Sequence, residues 1–194
     1  TGTGPKLERT RYGYAPADMY PVDVTSTSSH YYVVDPGRYS IFGINRATSK
    51  VDYAAGGTRG SGTEELAAAR ALAADSAGNV WVADTPNNRM VKYDSQLKNP
   101  KIYGTKGTGN GQFTAIYGIA DGPGIGSGGA AAEVIYTIDA CRIQKFTTGG
   151  TWLATFGSGL NQPRQIEVNK TNGDIYVVNA RDKQVVVYNK NLSE

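Results

Sequence analysis

Ala71-Leu72-Ala73-Ala74-Asp75-Ser76-Ala77-Gly78-Asn79-Val80-Trp81-Val82-Ala83-Asp84-Thr85-Pro86-Asn87-Asn88-Arg89-Met90-Val91-Lys92-Tyr93 decides the fold. It reads as a short apolar run, a polar turn, a second apolar run closing in Asp, a basic residue, and a third run ending on an aromatic. Asp-Ser-Ala-Gly-Asn supplies the turn residues, and the flanking runs are too short and too rich in Val to be helices. The chain writes the same sentence three more times. His30-Tyr31-Tyr32-Val33-Val34-Asp35 precedes Arg38-Tyr39-Ser40-Ile41-Phe42, and Val134-Ile135-Tyr136-Thr137-Ile138-Asp139 precedes Arg142-Ile143-Gln144-Lys145-Phe146. The last copy is Asp174-Ile175-Tyr176-Val177-Val178-Asn179 followed by Lys183-Gln184-Val185-Val186-Val187-Tyr188. The anchors at 35, 84, 139 and 179 lie 49, 55 and 40 residues apart. A period of about 40–50 residues made of several short strands is that of a propeller blade and not of a helical solenoid.

Each repeat resolves into four strands. The first is Pro21-Val22-Asp23-Val24, Ala71-Leu72-Ala73-Ala74, Tyr117-Gly118-Ile119-Ala120 and Gln165-Ile166-Glu167-Val168 in turn. A Gly-rich loop from Asp121 to Gly129 follows in the third repeat, and Asn172-Gly173 marks a tight hairpin in the fourth. The fourth strand is Val51-Asp52-Tyr53-Ala54, Lys101-Ile102-Tyr103, then Trp152-Leu153-Ala154-Thr155-Phe156. None follows Tyr188, but Lys6-Leu7-Glu8-Arg9-Thr10-Arg11-Tyr12-Gly13 carries the same alternation and aromatic-Gly ending. The expected architecture is therefore all-β, a propeller of four-stranded antiparallel blades with four blades countable. Residues 6–12 are expected to complete the last blade and close the ring, removing its exposed edge. One domain is expected over 1–194, with at most a helical turn from Thr63 to Ala69, where Glu64-Glu65-Leu66-Ala67-Ala68 favours it.

These residues resemble the NHL-repeat family of β-propellers. Gly78-Asn79-Val80-Trp81-Val82-Ala83-Asp84 and Asn87-Asn88-Arg89-Met90 match its core pattern, and Gly104-Thr105-Lys106-Gly107-Thr108-Gly109-Asn110-Gly111-Gln112-Phe113 matches its Gly-rich lead-in. The resemblance covers about residues 6 to 190 and is closest in the second repeat. Family propellers usually have six blades, so four implies either a small ring or blades outside this chain. The resemblance also brings the family's lyases, which hold zinc with several histidines, and its RNA binders. His30 is the only histidine, which excludes the first. No Lys/Arg-dense run supports the second: 20 basic and 17 acidic residues are scattered to a net charge of +3, so a nucleic-acid partner is not expected.

The remaining polar motifs recur with the blade period. Asp84 with Arg89, Asp139 with Arg142 and Asp35 with Arg38 read as turn pairs, with Asn179 and Lys183 standing in for them in the fourth repeat, because chemistry needs one place and not four. Gly107 to Gly111 lacks the ending and the helix of a phosphate loop. A Ser-His-Asp triad around His30 has no nucleophile motif to support it. Cys141 has no partner for an internal disulfide and reads as a small packing residue.

Asp23 and Glu167 differ, since aligning the first strands puts them level with Ala73 and Ala120. In a closed four-blade ring they would meet beside the central channel, where two carboxylates could hold Ca²⁺; no other cofactor is expected. Two functions from different classes follow. The first is a non-catalytic scaffold that binds a protein or glycan through loops on one face, with Tyr12, Tyr14, Tyr20, Arg70 and Tyr117 as contact residues. The alternative is a metal-dependent hydrolase or lactonase with a cation in the channel. No apolar run nears the ~18 residues of a membrane span. The sequons at Asn169 and Asn191 lean toward an extracellular setting, and a place in a larger assembly stays open.

Overall fold

The computed structural model describes residues 20–157 and 159–189. Its blades follow the repeats. Blade 1 comprises β1 (Asp23–Ser26), β2 (His30–Asp35), β3 (Ser40–Asn45) and β4 (Val51–Gly56). Blade 2 comprises β5 (Ala71–Ala74), β6 (Val80–Asp84), β7 (Arg89–Tyr93) and β8 (Lys101–Tyr103). The two-residue strands β9 (Thr105–Lys106) and β10 (Gln112–Phe113) pair in parallel and tie down the Gly-rich lead-in. Blade 3 holds β11 (Ile116–Ile125), β12 (Ala131–Asp139), β13 (Arg142–Thr147) and β14 (Trp152–Phe156). Blade 4 shows three strands, β15 (Pro163–Val168), β16 (Ile175–Asn179) and β17 (Gln184–Tyr188). Every blade is an antiparallel meander. The strand expected at residues 6–12 lies outside the described residues.

Successive blades face one another because alternate residues of each strand point to opposite sides. Counting back from the blade Asp, positions −1 and −3 face the next blade and positions −2 and −4 the previous one. Tyr32 and Val34 thus pack with Val80 and Val82 between blades 1 and 2. Trp81 and Ala83 pack with Ile135 between blades 2 and 3, and Tyr136 and Ile138 with Ile175 and Val177 between blades 3 and 4. Near-continuous apolar β6 and β12 follow from this, since both of their faces are covered.

The recurring acid does the structural work expected of it. Asp84 is fully buried, takes the Arg89 Nε–H at 2.9 Å, and accepts the Ala67 N–H at 2.9 Å. Arg89 in turn donates to the carbonyls of Ser61, Gly62 and Glu65, fastening the loop that leads into blade 2. Asp139 repeats this with Arg142, Thr114 N–H and Ala115 N–H. Asp35 accepts the Tyr20 N–H at 3.2 Å, while its Arg38 stands 3.9 Å away. In blade 4 Asn179 accepts the Asn161 N–H at 2.6 Å, and its own amide donates to Asp182. Lys183, expected to replace the arginine, instead takes the left-handed turn position at φ 57.

Two local expectations differ from the fold. No helix forms over 63–69: Leu66 is buried in the core between blades 1 and 2, and the Ala67 N–H is spent on Asp84, so tertiary bonds override helix propensity. The Gly-rich stretch from Asp121 is no flexible loop as far as Ile125, because it continues β11. A Cβ on Gly122 would meet Val168 Cγ1 at 2.4 Å, and one on Gly124 would meet the Tyr136 hydroxyl at 2.7 Å. These glycines let a strand pass closely over its neighbours, and only 126–130 form the tip of a long β11–β12 arm.

Two stability changes test this account. Asp84→Ala strands the buried Arg89 and should cost about 3–5 kcal/mol in urea unfolding. Gly122→Ala should cost about 1–3 kcal/mol by overpacking against Val168. A loss under ~0.5 kcal/mol in either variant would contradict the role given to that residue.

Candidate functional site

Strands β1, β5, β11 and β15 are the inner strands of the blades, and a cleft of about 1080 Å³ opens at their C-terminal ends. Its wall passes from Asp23 to Ser29 in blade 1, through Leu72 to Gly78, to Asp121 and Glu133, and on to Glu167 and Lys170. All four blades contribute to it. Hydroxyls of Thr25, Ser26, Ser28, Ser29 and Ser76 line it together with the carboxylates, and Tyr31 with Arg46 forms one rim.

The carboxylates are mostly committed to structure. Asp23 accepts the Leu72 N–H and the Val24 N–H, both at 2.9 Å, and so ties blade 1 to blade 2. Asp75 receives the Asn79 N–H and side-chain amide and the Trp81 indole N–H. Glu133, on the arm, crosses to blade 2 and takes the Ser76 N–H at 2.7 Å and its hydroxyl at 2.6 Å. On the arm's other side Lys170 pairs with the Asp121 carboxylate and donates to its carbonyl at 2.6 Å. The arm is therefore clamped between blades 2 and 4.

Crowding of these acids shows in their acidity. Burial pushes the Asp23 carboxyl up, against the pull of the Leu72 and Val24 amides. Burial also raises Asp121; Lys170 draws it down and Glu133 pushes it further up. Glu167 is raised by burial, with Lys170 opposing and Asp121 and Asp23 adding to the rise. Asp23 and Glu167 thus share one cleft, and the Asp23 charge adds to the rise at Glu167. Their register differs from the sequence alignment: Asp23 pairs with Val34, one residue before the blade Asp, whereas Glu167 pairs with Tyr176, three before the blade Asn. The level of Glu167 in blade 1 belongs to Thr25, opposite Tyr32. Among the described residues no three of His, Cys, Asp and Glu gather as a metal cage.

The expected contact residues separate. Tyr12 and Tyr14 lie outside the described residues. Tyr20 and Arg70 are exposed and stand just before β1 and β5; half-buried Tyr117 lies near the start of β11, with the Arg164 guanidinium 5.5 Å over its ring. They occupy the face opposite the cleft. Sequence reading missed Arg46, whose guanidinium sits 4.9 Å over the Tyr31 ring and donates to the Thr27 carbonyl. Only the β3–β4 turn brings it there, and no motif signals that. His30 accepts or donates at both nitrogens, Nδ1 to Ser29 Oγ at 2.9 Å and Nε2 to Asp52 at 3.1 Å. The Ser29 contact is between chain neighbours, Asp52 is also held by the Asn45 amide at 2.8 Å, and the ring lies against Tyr53. These bonds brace the end of blade 1.

Residues 66–93 match the model of the NHL repeat. The match covers strands β5 to β7 of the second blade. Solved structures similar to this propeller include a streptogramin B lyase, at TM-score 0.64 and 15% identity over 91% of this chain and 53% of that one. The WD40 repeats of RRP9 follow at TM-score 0.61 and 12% identity, over 90% and 55%. A catalytically inactive virginiamycin B lyase from Staphylococcus aureus with quinupristin gives TM-score 0.60 and 14% identity over 91% and 57%. The chain thus spans about half the length of these chains, and at such identities the likeness is one of fold. No curated protein matches the sequence.

Raised carboxylates set the sign of a pH effect. A carboxyl whose folded pKa lies above its unfolded value contributes stability below the unfolded value and loses it as pH rises through the folded one. Glu167→Gln removes one such group, so its urea midpoint relative to the parent should rise between pH 4 and pH 7. An unchanged difference across that range would show that Glu167 is not strained by its neighbours.

Proposed function

We propose that this NHL propeller is a non-catalytic recognition module that takes a protein or glycan partner over the cleft at the C-terminal ends of its inner strands. One observation carries the reading. Asp23, Asp75, Asp121 and Glu133 are taken up in holding blades, turns and arm, whereas the Tyr31–Arg46 rim and the arm itself have no counterpart in the other blades. Unrepeated elements on a repeating frame are where individual function belongs. A stacked Tyr–Arg pair is also the residue chemistry of binding hot spots, and a wall of hydroxyls and carboxylates suits a polyhydroxylated or polar ligand. Exposed Asn169, in the β15–β16 turn, heads a sequon and favours a place outside the cell; fractionation of the native host would refute that by finding the protein only in cytosol.

Glycan and peptide arrays provide the test. Tyr31→Ala and Arg46→Ala should each weaken an array-identified ligand about tenfold or more. Affinity unchanged in both variants would remove the cleft from recognition.

A second reading, hydrolysis assisted by a divalent cation, draws on the shared cleft of Asp23 and Glu167. Calorimetric titration with Ca²⁺ and an ester and lactone screen decide it. Micromolar binding with activity lost in both Asp23→Asn and Glu167→Gln would establish the enzyme.

A further inference from the structure

Five turns between consecutive strands begin in the same way, at Asn45, Asp75, Asp94, Thr147 and Asn169. In each, the N–H of that first residue donates to a carbonyl across the turn, that of Lys50, Asn79, Lys98, Thr151 and Asp174 in turn. Its side-chain oxygen then accepts backbone N–H groups of the turn itself. What the position requires is therefore an oxygen. Asp75 and Asp94 supply it from a carboxylate, Thr147 from a hydroxyl, and Asn45 and Asn169 from an amide.

The two amides differ in the use of their nitrogen. Ala47 N–H at 2.9 Å and Thr48 N–H at 3.1 Å hold Asn45 Oδ1, and Thr171 N–H at 2.9 Å and Asn172 N–H at 3.4 Å hold Asn169 Oδ1. Because only the oxygen can accept, these bonds fix which way each amide lies. Asn45 Nδ2 is spent on Asp52 at 2.8 Å. Asn169 Nδ2 donates to no group among the described residues, and the Thr171 hydroxyl is equally without a partner. Residues 169–172 are all exposed. The turn holds without either group, since the Gly173 N–H donates to the Asn169 carbonyl at 2.8 Å and Asn172 bonds with Asp174. An aspartate would thus serve the turn at 169 as it does at 75 and 94, and the nitrogen is surplus to the fold. With Thr171 two residues on, that surplus nitrogen heads an acceptor tripeptide.

We infer that Asn169 Nδ2 carries an N-linked glycan. The nitrogen bonds to C1 of the first sugar of an oligosaccharide borne on a polyprenyl diphosphate. The C1–O bond breaks, the diphosphate leaves with its electron pair, and the amide gives up one proton. Oδ1 keeps both of its bonds, so the fold accepts the sugar without losing an interaction. Lys170, the next residue, lines the cleft and holds Asp121 of the arm. The glycan would therefore stand at the blade 4 end of the cleft, away from the Tyr31–Arg46 rim in blade 1, and leave that rim as the approach for a partner. The inference rests on the extracellular setting proposed above.

The test is expression of the 194-residue chain behind a secretion signal in cultured eukaryotic cells, with peptide mapping of the secreted protein. The Asn169 peptide should carry the glycan mass in the parent and in Thr171→Ser, and lose it in Asn169→Asp and Thr171→Ala. Made in bacteria without glycan, Asn169→Asp and the parent should share one urea midpoint, because the capping oxygen is kept. An unmodified Asn169 in the secreted parent would overturn the inference. So would a lowered midpoint in Asn169→Asp, by showing that the nitrogen is engaged in the fold. Since secretion is imposed, neither result depends on where the native protein resides, which fractionation of the host decides separately.

Discussion

A buried carboxylate at the end of the second strand in blades 1 to 3, with Asn179 in its place in blade 4, is the constraint on which this propeller depends. A propeller blade has a topological difficulty: the chain must return from the outer strand of one blade to the inner strand of the next across irregular, Gly-rich backbone. That backbone carries N–H and C=O groups with no ladder to satisfy them, and leaving them bare inside the molecule is costly. Asp84 and Arg89 solve this together. The acid caps the amide of Ala67 on the incoming segment, and the guanidinium gathers three carbonyls of the same loop. A lone buried charge would be prohibitive, but each partner here neutralises the other and both are saturated with hydrogen bonds. The pair is a structural staple that recurs in blade 3, stands wider in blade 1, and is replaced by Asn179 in blade 4.

Because that staple repeats, it also determines what else in the molecule can be specific. Asp139 with Arg142 uses the same geometry on Thr114, Ala115, Thr108 and Gln112. Asn179 reaches Asn161 with a neutral side chain and gives up the arginine, since a charge without its counter-ion could not be buried there. Function has to be carried by whatever the repeat leaves free: inner-strand ends, the arm and the rim residues. The arm is long because Gly122 and Gly124 let β11 run close over Val168 and Tyr136, and it is fixed because Glu133 and Lys170 hold it from both sides. Rigidity of this kind reduces the ordering cost of binding.

Much of the fold was legible in the sequence, and the reason is periodicity. The positions of Val80 to Asp84 and their three counterparts fix strand, face and turn at once, since a shift by one residue would exchange the faces toward the two neighbouring blades. What sequence could not give was anything set by distance across the ring. Glu64 to Ala68 has helical composition, but Asp84, 17 residues on, claims the backbone. Asp121 to Ile125 has loop composition, but Val168 and Tyr136 make those glycines strand residues. Asp23 and Glu167 looked level because the repeats align that way, and only the strand register separates them by one alternation. Arg46 gave no signal because its partner, Tyr31, belongs to another element, strand β2.

The same periodicity makes exposure informative where composition is not. An exposed valine on an ordinary sheet says little, because folded surfaces carry much apolar area. In a repeat each position has its own controls: Val185 can be compared with Ile41, Met90 and Ile143, which share its strand, its cross-strand partner and its facing. Three fully buried equivalents define what that position is for. A sheet built to be covered on both sides retains the residues of burial at its ends, whereas a terminal repeat meant to face water acquires a polar outer surface. Blade 4 keeps Val178, Val185 and Tyr176 exposed on the side away from blade 3, and blade 1 keeps Val22 and Val24 exposed on the side away from blade 2. Both end blades therefore carry apolar side chains at positions that the interior blades bury.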